Sequence, residues 1–99
     1  MTFAIEILDV ALDQLRGLPK KALRQVTRRI RGLASDPCPG NAKKLQNTKV
    51  PDLYRIRSGD YRIVYQIRRK RLLVLVIRIG HRKDVYRNLA ALSVDWPTV

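Results

Sequence analysis

Leu53-Tyr54-Arg55-Ile56-Arg57-Ser58-Gly59-Asp60-Tyr61-Arg62-Ile63-Val64-Tyr65-Gln66-Ile67 decides the fold. Two alternating runs flank Ser58-Gly59-Asp60, and Gly takes the positive φ that tight hairpin turns require. The spacing therefore predicts one strand over Leu53–Arg57 and a second over Tyr61–Ile67, paired antiparallel. Residues two apart share a face of a strand. Arg55 and Arg57 point one way, with Tyr54 and Ile56 opposite. Arg62, Val64 and Gln66 share one face, and Tyr61, Ile63, Tyr65 and Ile67 the other. The hairpin can then bring Arg62 close to Arg57 or Arg55. Three guanidinium groups on one sheet face repel one another, which points to an anion as their partner.

Working outward, Arg68–Arg71 turns the chain and Leu72–Ile79 reads as a third strand, apolar enough for the centre of a sheet. Gly80 is expected to end it, and Lys83 to about Leu92 to form a short C-terminal helix. Upstream, Thr2–Leu8 reads as a strand, with Phe3, Ile5 and Ile7 alternating with Thr2, Ala4 and Glu6. Asp9 is expected to cap a helix over Val10–Arg16, stopped by Gly17. Pro19 suits the first turn of a second helix running to about Ala34. Leu23, Val26, Ile30 and Leu33 give that helix one apolar stripe. Lys20, Lys21, Arg24, Arg28 and Arg31 cover much of the remainder, either as a solvated surface or as an electrostatic apron for RNA. Asp36-Pro37-Cys38-Pro39-Gly40-Asn41 is a turn cluster. Ala42, Lys43, Lys44 and Leu45 follow, then a polar link to Pro51.

The expected fold is α+β: an N-terminal strand, a helical hairpin, then an antiparallel three-stranded meander. The helices should cover one face of the sheet and leave the other, or its rim, for function. The 99 residues suffice for one domain, spanning 1–99. With 45% hydrophobic residues the chain carries a core and is no disordered basic tail.

Twenty-one Lys and Arg against eight Asp and Glu give a formal charge of +13. Such a field draws polyanions. Most of the excess is Arg, whose planar fork grips phosphate and stacks on bases. Nucleic acid is the expected partner. No apolar run approaches the roughly 20 residues of a membrane span. Met1–Leu12 lacks the early positive charge of a secretion signal and contains Glu6 and Asp9, so a cytoplasmic location is expected. One Cys and one His offer no zinc site of the usual Cys/His kind, and no metal or other cofactor is expected. Cys38, between two prolines, has no nearby His to activate it and reads as incidental.

A third cluster, Gly80-His81-Arg82-Lys83-Asp84-Val85-Tyr86, follows the central strand directly. Loops at strand ends commonly carry sites. It supplies further cations, the only imidazole and a tyrosine. Arg can neutralise a phosphate in a transition state, and Tyr can stack on a base or share a proton. Together with the hairpin arginines this set suffices to cleave RNA without a metal. The plainer readings are a hydrogen-bonded structural role for His81, core packing for Tyr86, and a salt bridge from Arg62 to Asp60 or Asp84.

Leu53–Tyr65 followed by Val76-Ile77-Arg78-Ile79-Gly80-His81-Arg82-Lys83-Asp84-Val85-Tyr86 resembles the RelE/ParE superfamily of toxins, and Ala42-Lys43-Lys44-Leu45 is similar to that family's basic stretch. The resemblance covers nearly the whole chain. It implies a toxin of a type II toxin–antitoxin pair, with a cognate antitoxin protein as partner in a hetero-oligomer. For the RelE-like branch it implies metal-independent cleavage of mRNA on the ribosome, leaving a cyclic phosphate. Carried over, Arg55 and Arg57 stand where that branch places basic residues, often lysines. Arg62 and Arg82 match its phosphate-binding arginines, Tyr86 its substrate-orienting tyrosine, and Lys43 and Lys44 its RNA-binding stretch. Arginine does not release its proton in proteins, so His81, the only imidazole, is the expected base, with Tyr86 the alternative acid or base. Two rivals accompany this reading. One is a ParE-like inhibitor of DNA gyrase acting by protein contact. The other is a non-catalytic nucleic-acid-binding module.

Overall fold

A computed structural model describes residues 2–46 and 49–86. The chain begins with strand β1 (Ala4–Ile7), then helices α1 (Asp9–Arg16) and α2 (Lys20–Gly32). Four strands follow: β2 (Lys43–Lys44), β3 (Leu53–Ser58), β4 (Tyr61–Arg68) and β5 (Leu73–His81), with a 3₁₀ turn over Arg69–Arg71 between the last two. They form one five-stranded sheet in the order β1-β5-β4-β3-β2. The expected meander is β3-β4-β5, antiparallel throughout. The sheet as a whole is mixed, because β1 lies parallel to β5. A parallel neighbour requires a long crossover, and the helical hairpin begins it.

Alternation sorts the side chains. One sheet face carries Ile56, Ile63, Tyr65, Ile67, Val74, Val76 and Ile79, and it packs on Ala11, Leu15, Val26, Ile30 and Leu33 from the helices. Each such fully buried aliphatic side chain contributes about 1.5–3 kcal/mol of transfer free energy. Tyr65 is fully buried here, stacks on Tyr54 at 6.0 Å, and donates its hydroxyl to the Pro37 carbonyl at 2.7 Å. Burial, above all, pushes its phenol well above the usual range, and the nearby Cys38, Tyr54 and Asp36 add to this. On the opposite face Val50, Leu53, Val64, Leu75, Ile77 and Val85 form a smaller cluster.

A register shift between Val64 and Tyr65 sets the second face. Val64 pairs with Arg78 but Tyr65 pairs with Val76, so Ile77 is an extra residue on β5. Such a bulge turns two consecutive side chains to one side. Ile77 joins the smaller cluster and Arg78 lies opposite Val64 on the same face. Beside the bulge the Ile79 N–H donates to Gln14 Oε1 at 2.8 Å, which ties α1 to the sheet.

Several boundaries depart from expectation. The α1 helix starts at Asp9 itself, with Leu8 at the cap position and no side-chain cap bond. Asp9 instead favours the positive helix N-terminus from within the first turn. Pro19 occupies the cap position of α2. The polar stretch after Asn41 contributes the two-residue edge strand β2. Gly80 does not end β5, which continues to His81, and 82–86 is turn rather than helix. The remainder of the expected C-terminal helix lies outside the described residues.

Candidate active site

The register builds a cationic face across four strands. Arg57 stands directly opposite Arg62, Arg55 opposite Val64, and Lys43 opposite Arg55. Across the next ladder Arg62 faces Gly80, and Val64 faces Arg78. Directly opposed residues have β-carbons about 4.5–5.5 Å apart, where like charges destabilise. Lys43, Arg55, Arg57, Arg62 and Arg78 therefore share one face, away from the helices.

Backbone carbonyls orient Arg55 and Arg62. Arg62 Nη1 donates to Gly59 O at 2.9 Å and to Tyr61 O at 3.0 Å. Those carbonyls belong to the hairpin turn, where Gly59 has φ +60° at the first of two loop positions. Arg55 Nη1 reaches Asn41 O at 3.3 Å, and Asn41 Nδ2 donates to Arg57 O at 3.4 Å. Among the described residues no carboxylate forms an ion pair with Arg55, Arg57 or Arg62. A carbonyl orients a guanidinium without cancelling its charge. Arg55 and Arg62 are thus oriented with their charge intact, and Arg57 adds a third, as a phosphate site requires.

The strand-end loop folds over this face. Arg82 N donates to Asp60 O at 2.8 Å, which carries the chain across the hairpin turn. The Arg82 guanidinium is exposed and only 4.0 Å from the Asp60 carboxylate, a contact of little energetic weight. Asp84 N and Val85 N both donate to His81 O, at 2.8 and 2.9 Å, and close the turn. Val85 is 2% exposed, packed over Gly80 on the arginine-bearing face. Next to this anchor, Tyr86 is 38% exposed. It lies at the surface, not in the core. Arg62, likewise, is bound to hairpin carbonyls and not to Asp60.

Two of the expected site residues lie elsewhere. His81 pairs with Tyr61, and the two rings meet edge to face at 6.1 Å on the helix-covered side. One residue beyond Gly80, it alternates to the face opposite the arginines, and the sheet stands between them. Its Nδ1 accepts the Lys83 N–H at 3.2 Å, which leaves the proton of a neutral ring on Nε2. Lys44 pairs with Tyr54, not with Arg55, and its ammonium lies 3.7 Å from Asp52. Lys43 alone of the two lysines joins the arginine face.

Arg78 belongs to the face and was not among the expected site residues. It is half-buried, burial lowers its pKa, and Nη1 donates to Val85 O at 3.0 Å. That bond connects the arginine face to the residue preceding Tyr86. One signal was available, a single charge inside the apolar run Leu72–Ile79. The bulge that aligns it with Arg62 was not.

An α+β domain with a helical hairpin on one sheet face, and oriented arginines beside a strand-end tyrosine on the other, has the architecture expected of RelE-like toxins. The family model for the ParE toxin of type II toxin–antitoxin systems matches residues 5–86. The chain belongs to this RelE/ParE superfamily of toxins. It is 31% identical over 90 residues to the mRNA interferase toxin RelE of Escherichia coli K12, covering 87% of this chain and 92% of that relative. Toxin RelG of Mycobacterium tuberculosis is 27% identical over 88 residues, covering 88% and 99% of the two chains. The archaeal RelE–RelB complex of Pyrococcus horikoshii superposes with a TM-score of 0.74 at 30% identity, over 86% of this chain and all of that one. A mutant of E. coli RelE in the free state gives 0.75 at 27% identity, over 95% of this chain and all of that one.

Proposed function

We propose that this protein is the toxin of a toxin–antitoxin pair and an endoribonuclease that cuts mRNA on the ribosome. The observation that carries the reading is the opposed pair Arg57 and Arg62, flanked by Arg55 and Lys43 and, among the described residues, left without carboxylate partners. Kinship with a protein named mRNA interferase toxin supports it. So do the solved RelE–RelB complex of Pyrococcus horikoshii and RelBE toxin–antitoxin complex of E. coli.

In this reading Arg57 and Arg62 grip the non-bridging oxygens of the scissile phosphate, and Arg82 reaches it from the loop. The substrate 2′-oxygen attacks phosphorus, the P–O5′ bond breaks, and the products are a 2′,3′-cyclic phosphate and a 5′-hydroxyl. One proton leaves the 2′-hydroxyl and one is delivered to the 5′-oxygen, so the step is proton-neutral overall. The guanidinium groups stabilise charge developing on phosphorus without reorganising. Tyr86, exposed beside the face, orients the substrate base and takes part in proton transfer. His81 acts through the loop, since its ring lies across the sheet. Lys43 steers the flanking RNA.

The partner that silences such a face is an antitoxin bearing carboxylates, forming a hetero-oligomer with the toxin. Among the described residues no helix is long and apolar enough to cross a membrane. The test is incubation with ribosomes programmed with mRNA, end mapping of the products, and a gyrase supercoiling assay in parallel. Cleavage that Arg82→Ala abolishes is expected, with gyrase unaffected. Gyrase inhibition without RNA cleavage would replace this reading with the ParE-like one.

A further inference from the structure

At the end of the sheet far from the Arg57–Arg62 pair lies a second cationic feature. A cleft of about 710 Å³ opens between the 49–52 segment and the β4–β5 turn. Lys49 and the run Arg68-Arg69-Lys70-Arg71 border it, against the single carboxylate of Asp52. Lys44 already pairs with that carboxylate at 3.7 Å. Arg69, Lys70 and Arg71 are exposed, and among the described residues none forms an ion pair.

A run of basic residues is commonly a solvated turn, but this one is built into a wall. Gln66, 6% exposed, donates its amide to Pro51 O at 3.0 Å and accepts Arg68 Nε at 3.0 Å through its own carbonyl. The Ile67 N–H donates to Asp52 O at 3.1 Å. The turn closes without glycine, leaving Leu72 at φ 49°, while Asp52 across the cleft has φ 52°. Non-glycine residues hold such conformations only where the surroundings impose them. Val50, 5% exposed, and Pro51 contribute apolar lining.

Alternation puts Arg68 on the same face of β4 as Arg62, and the six residue steps from one to the other span about 20 Å at ~3.3 Å each. Two cationic sites thus lie at the two ends of one sheet face. Arginine forks match phosphodiester oxygens, and an apolar wall matches the face of a base.

We propose that this cleft is a second RNA site, an exosite that holds the phosphodiester backbone of the substrate strand several nucleotides from the cut. The inference rests on the RNA-cleaving reading for its context, but its test does not depend on catalysis. The occupant is the substrate strand itself, since both sites share one face.

The test uses the full chain and uncleavable 2′-O-methyl RNA, read by fluorescence anisotropy. A long oligonucleotide of about 12 nucleotides is compared with a short one of about 4. The triple variant Arg69→Ala, Lys70→Ala, Arg71→Ala alters exposed residues outside the cleavage machinery, and a matching thermal melt verifies its fold. Expected is roughly a tenfold or greater loss of affinity for the long RNA, little change for the short one, and a log-log salt slope shallower by about 2. Arg62→Ala should weaken both lengths. Equal losses at both lengths, or none at either, would overturn the exosite. So would a loss confined to ribosome binding or to an acidic peptide, since the occupant would then be ribosomal RNA or a protein. If ribosome-bound mRNA is cleaved normally and the triple variant still binds long RNA as wild type does, only the exosite fails. If no RNA is cleaved yet the length-dependent loss persists, only the nuclease reading fails.

Discussion

Replacing Arg57 by glutamine should stabilise the protein while disabling it. Arg57 is exposed and its guanidinium makes no hydrogen bond or ion pair among the described residues, so truncating its charge breaks nothing. What it removes is repulsion. Arg62 stands directly across the ladder and Arg55 lies two residues along the same strand face. With charges about 7 Å apart in water, each neighbour costs about 0.6 kcal/mol, or about 1 kcal/mol for the two at low ionic strength. For a domain of this size that corresponds to a rise in melting temperature of about 4–8 °C. Screening tests the cause, since the Debye length falls from about 30 Å at 0.01 M salt to about 3 Å at 1 M. Differential scanning calorimetry at both salt concentrations should find a gain at low salt that disappears at high salt. The same variant should lose about 10²–10³-fold in RNA cleavage, the usual cost of removing a preorganised charge from a transition state. A lower melting temperature at low salt, or a gain of equal size in 1 M salt, would refute the claim that the arginine face is uncompensated.

Three further outcomes follow from the same geometry. Val85→Ala should cost about 2 kcal/mol of stability and, by loosening the loop before Tyr86, reduce cleavage more than RNA affinity; equal effects on both would remove its positioning role. Tyr86→Phe should slow single-turnover cleavage by about 10²–10⁴-fold, whereas His81→Ala should leave it within a few-fold; the reverse pattern would return proton transfer to the imidazole. Tyr65 is held protonated by burial, so its folded pKa lies above the unfolded value of about 10. Its contribution is complete below that pH and is lost as pH rises above it. Urea titrations at neutral and alkaline pH should find wild type losing stability steeply above about pH 10 and Tyr65→Phe losing less, with about 1 kcal/mol lost at neutral pH from the missing hydrogen bond to Pro37.

The meander was legible because its signals are local. Alternation from Leu53 to Ile67, broken only by Ser58-Gly59-Asp60, leaves one pairing, and that pairing sets Arg57 against Arg62. The helical hairpin was legible for the same reason, through the stripe at Val26, Ile30 and Leu33. Non-local features were not. Nothing in Ala4–Ile7 states that it will lie parallel to β5, since either sheet edge would accept an amphipathic strand. The two residues of β2 are too few to carry a period. The extra residue at Ile77 has no local signature, yet it aligns Arg78 with the site. The face of His81 was recoverable by counting one residue on from Gly80, but the strand was expected to stop there.

The most direct test is cleavage of ribosome-bound mRNA carrying a single 2′-deoxynucleotide at the mapped cut position. If the arginine face drives attack by the substrate's own 2′-oxygen, that position should resist cleavage while all-ribose message is cut to a 2′,3′-cyclic phosphate. Undiminished cutting at the deoxy position would contradict the account, because the nucleophile would then not be the 2′-hydroxyl.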